Sequence, residues 1–85
     1  MTDKERIEIL EKVKDEITNK GGAFICNELG RIVGLDFFII FPELENHKPK
    51  DKRLHQAWFG GKEGKAIRLK VLNSMITEIK AKSND

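Results

Sequence analysis

Apolar residues recur at helical spacing near both ends of the chain, and crowd together between them. Over Thr2 to Asn19, Ile7, Leu10, Val13 and Ile17 fall on one face, and Ile9 widens the stripe. Thr2 followed by Glu5 fits a capping box, with Asp3 and Glu5 near the positive end of the helix dipole. Gly21 and Gly22 end the segment. Over about Lys65 to Lys82 the row Ile67, Val71, Met75 and Ile79 repeats the pattern, with Leu72 and Ile76 beside it. Lys80 and Lys82 suit the negative end of that helix, and residues 83–85 form a frayed tail.

The middle of the chain is less regular. Ala23 to Val33 reads as a helix, because Phe24, Ile25, Leu29 and Ile32 fit the 3.6 period better than alternation, although Gly30 weakens it by about 1 kcal/mol. Leu35 to Leu44 is the most apolar stretch. Phe37, Phe38, Ile39, Ile40 and Phe41 run unbroken, so both a buried strand and a helix stay open. Pro42 stops a strand from continuing and also suits the first turn of a new helix. Five successive apolar residues cannot share one helix face. Some must meet a second surface, which points to a homo-oligomer with Phe37, Phe38, Ile40 and Phe41 at the interface. Residues 45–64 are basic and turn-rich, with Leu54, Trp58 and Phe59 as apolar anchors. The predicted architecture is mainly α: a small helical bundle of two long amphipathic helices with short apolar segments and a basic loop between them.

With 85 residues, the chain makes a single domain, 1–85, with a thin core. It lacks an 18-residue apolar run and its first 20 residues are charged throughout, so the expectation is a cytoplasmic protein without a membrane span. One cysteine excludes an intrachain disulfide. The net charge of +2 conceals an acidic half, residues 1–46 at −4, and a basic half, residues 47–85 at +6. A basic half can draw phosphates, nucleic acid or an acidic protein face, or can simply neutralise the other half.

Catalysis finds little support. Cys26 sits among Phe24, Ile25 and Leu29 as a core residue would, and no local signature joins it to His47 or His55. Seven residues separate the two histidines, the wrong spacing for a metal pair, so no metal or cofactor is expected. Glu43 and Glu45 read as a solvated surface beside a proline turn. The run Gly60 to Lys65 fails as a phosphate loop, with Phe59 where glycine is needed and Ala66 where serine or threonine is needed. A looser anion site at the following helix start would use Lys62, Lys65 and Arg68. Lys48, Lys50, Lys52, Arg53 and His55 lie beside Trp58 and Phe59, a mixture suited to phosphate contact and base stacking, while Trp58 is equally suited to packing.

The segments Phe24-Ile25-Cys26-Asn27-Glu28-Leu29, Phe41-Pro42-Glu43-Leu44 and Trp58-Phe59, followed by Arg68 with Leu72 and Ile76, occur in that order. Over about residues 5–80 they resemble a loose group of short proteins encoded by bacteriophages and other mobile elements. These carry an F-I-C-x-x-L segment, a central tryptophan and a closing amphipathic helix. The group brings no catalytic residues to carry over. The resemblance implies a small cytoplasmic accessory protein that modulates or counters a host defence system. Its partner would be a host protein or an anionic small molecule. In the second case Lys48, Lys50, Lys52, Arg53, His55, Trp58, Lys62, Lys65 and Arg68 would bind a phosphorylated, nucleotide-like signal. A nucleic-acid-binding module using residues 47–70 is the alternative, and an enzyme is not expected.

Overall fold

The computed structural model describes residues 1–20, 23–51 and 64–83. Five helices make up the regular structure of those residues: α1 (Asp3–Asn19), α2 (Ile25–Val33), α3 (Phe37–Ile40), α4 (Glu43–His47) and α5 (Lys65–Ser83). The expected mainly α bundle with two long helices is therefore the fold.

The capping box forms as the sequence predicts. The Glu5 backbone N–H donates to the Thr2 hydroxyl at 3.1 Å, and the Glu5 carboxylate accepts from the Thr2 backbone N–H at 3.3 Å. Leu10, Val13 and Ile17 then point into the core. In α5 the buried set is Arg68, Val71, Leu72, Met75, Ile76 and Ile79, which is one helical stripe. Arg68 occupies the first place in that stripe, where an apolar residue would be expected.

α1 and α5 run antiparallel and form the largest helix contact. Two bonds at opposite ends fix the direction. Ser83 Oγ donates to Asp3 Oδ2 at 2.6 Å, and Lys65 Nζ donates to the Thr18 carbonyl at 2.9 Å. The second bond also caps α1. Its last turn holds no basic residue of its own, and a carbonyl left without a helical partner receives the ammonium of α5 instead. Ser83 is thus tied to the start of α1 at the end of α5, its hydroxyl donating to Asp3 and lying 2.9 Å from the Ile79 carbonyl as the other acceptor within its reach.

α2 lies against α1, and α4 against α5. Gly34 joins α2 to the next segment at φ +82°, a conformation that side chains with a Cβ rarely adopt. The apolar run resolves as one helical turn and not as a strand. The Asp36 carbonyl accepts from the backbone N–H groups of Ile39 at 2.9 Å and Ile40 at 3.0 Å, so the turn satisfies its own polar groups without a neighbouring strand. Pro42 stands immediately before α4. Helix α4 reaches His47, so the first residues of the expected 45–64 loop are helical. With a Cα radius of gyration of 12.2 Å the chain is as compact as a folded domain of its length, about 12 Å.

Candidate functional site

The turn of α3 sorts the apolar run into two sets. Phe41 is fully buried beside Leu44 and the core residues of α1 and α5, while Phe37 and Ile40 are half-buried against that core. Phe38 and Ile39 face outward, 44% and 79% exposed. Leu35, one turn earlier, is 94% exposed, and Ile32 at the end of α2 is 43% exposed. The outcome corrects the expected interface. Phe41 belongs to the interior of this chain, since it is enclosed by its own core, and Phe37 and Ile40 lean inward. Only Phe38 of the four faces outward. Leu35, Ile39 and Ile32 are the residues that the periodicity reading missed. The signal was present: once Phe37, Ile40 and Phe41 take the inner face of a helical turn, Leu35, Phe38 and Ile39 are left on the outer one.

The expected anion rim fares differently. Lys52, Arg53, His55, Trp58 and Lys62 lie outside the described residues. Lys48 pairs with Glu45 at 2.8 Å, Lys50 is exposed, and Lys65 is committed to the end of α1. Arg68 is fully buried, and desolvation lowers its pKa from the ordinary guanidinium value. Arg68 thus lies in the buried stripe of α5 and not on that helix's exposed side.

A second gathering of polar groups joins the start of α1, α4 and the end of α5. Glu43 is 2% exposed and pairs with Arg6, whose side chain is 14% exposed. Lys82 Nζ approaches Glu43 at 3.7 Å, and Arg6 also reaches Asp3 at 3.0 Å. The Arg6 guanidinium lies 5.5 Å from the centre of the Phe41 ring. Burial opposes the charge on Arg6, but its bonds to Glu43 and Asp3 outweigh burial and raise its pKa. Next to this group Glu78 accepts from Asn46 at 3.3 Å and meets His47 Nε2 at 3.0 Å and Lys82 Nζ at 3.5 Å. The expectation of a solvated carboxylate pair at Glu43 and Glu45 is therefore half right. Glu45 is exposed, whereas Glu43 is enclosed because Arg6 and Lys82 meet it there.

No protein family, curated protein or solved structure matches the chain.

Cys26 is half-buried, and burial pushes its thiol up from the ordinary value, which reduces the thiolate needed for attack. His47 engages Glu78. Among the described residues no three His, Cys, Asp or Glu side chains gather so as to hold a metal ion, and no helix is long and apolar enough to cross a membrane. Among the described residues, Ile32, Leu35, Phe38 and Ile39 present apolar side chains to water along the outer side of α2 and α3.

Proposed function

We propose that this is a small non-enzymatic binding protein that works by covering an apolar strip with another polypeptide. The observation that supports this is the exposure of Ile32, Leu35, Phe38 and Ile39 within eight residues of chain. In a sequence that is 35% charged, residues 32–42 carry a single charge, Asp36. Enclosing a side chain such as Leu35 or Ile39 returns about 1.5–3 kcal/mol, and a contiguous apolar patch on a small protein marks an interaction site. The resemblance to phage and mobile-element proteins extends the proposal to the setting, in which the assembled protein modulates or counters a host system. The version in which it sequesters a phosphorylated signal draws less support, since Lys48 and Lys65 are engaged and Arg68 is enclosed.

The test is a photoreactive residue placed at position 39 in the expressing cell, with position 80 on exposed α5 as control. Polypeptide adducts are expected at 39, not at 80, and should disappear with Leu35→Asp. Equal adducts at both positions, or none at 39, would remove the strip as a binding surface.

A further inference from the structure

We draw no further inference here: the strongest candidate, the outward apolar face of α2 and α3 with Ile32, Leu35, Phe38 and Ile39, belongs to the surface already described, and nothing in the structure shows what covers it.

Discussion

Two regions of this protein invert the usual arrangement of polar and apolar groups, and they do so in opposite ways. Where α1 begins and α5 ends, charges are enclosed: Glu43 lies among Arg6 and Lys82, and Arg6 sits over the Phe41 ring. On the outer side of α3, apolar groups face water at Leu35, Phe38 and Ile39. The difference lies in what each group has found. Each enclosed charge meets an opposite charge from a different element, so its energy is realised within the chain and serves to seat α4. The exposed apolar groups have no such contacts, so their energy is realised only when something else covers them. Irregularity of the first kind holds the fold, and irregularity of the second kind is the surface that the proposed binding role would use.

The largest effect that separates the regions comes from the phenylalanines of the apolar run. Phe41→Ala should cost about 3–5 kcal/mol, because a fully buried ring leaves a cavity among Leu44, α1 and α5. Phe38→Ala, three residues earlier, should cost less than about 1 kcal/mol, since its ring is partly in water already. Urea unfolding of both variants measures the contrast, and equal losses would erase it. Glu43→Ala should cost about 3 kcal/mol, mostly from leaving the Arg6 guanidinium without its buried counter-ion. Replacing both partners, Arg6→Met with Glu43→Leu, should restore most of that stability. A single variant within about 0.5 kcal/mol of wild type would show that water takes over the role of Glu43.

Acid should weaken the charged end. Around Glu78, burial pushes the carboxyl up, but the bond to His47, the charge of Lys82 and the bond from Asn46 outweigh it and hold the pKa below its ordinary value of 4.5. Bonds from Ser83 and Arg6 hold Asp3 below its ordinary value as well. A carboxylate depressed in the folded state stabilises fully above its unfolded pKa, and that contribution is lost as pH falls through the folded value. Tm should therefore fall as pH drops below about 4.5. Glu78→Gln should flatten this limb by lowering Tm slightly between pH 6 and 8 while leaving the acid end unchanged, a smaller effect than either core substitution. An acid limb as steep in the variant as in the wild type would remove Glu78 from this role.

The helices were legible in the sequence because their signals are local. The capping box at Thr2 and Glu5 and the spacing through Leu10, Val13 and Ile17 involve neighbours within one or two turns. The register of α3 was not legible, because five apolar residues in a row carry no period and only packing decides which of them turn inward. Glu43 was misjudged for a related reason. A carboxylate beside a proline turn reads as solvated until Arg6, 37 residues away, and Lys82 are brought to it. Arg68 took an apolar place in the α5 stripe, which a charge-based reading assigns to the surface. In each case the missing information was long-range contact.

The smallest effect on stability is also the most telling. Leu35→Asp combined with Ile39→Asp replaces two aliphatic side chains by charges, a change that would unfold the protein if those side chains were core. Here both already lie in water in the isolated chain, so neither a cavity nor a newly buried charge results. Urea unfolding should place the double variant within about 0.5 kcal/mol of wild type. The same pair of changes should nevertheless abolish the proposed docking of another polypeptide on this face, because two carboxylates would then stand where an apolar contact is needed. Thermodynamic silence in the isolated chain together with loss of the complex is a signature that a structural residue cannot give. A loss of several kcal/mol would place Leu35 and Ile39 among the residues that hold the fold, and would dissolve the distinction between the two regions.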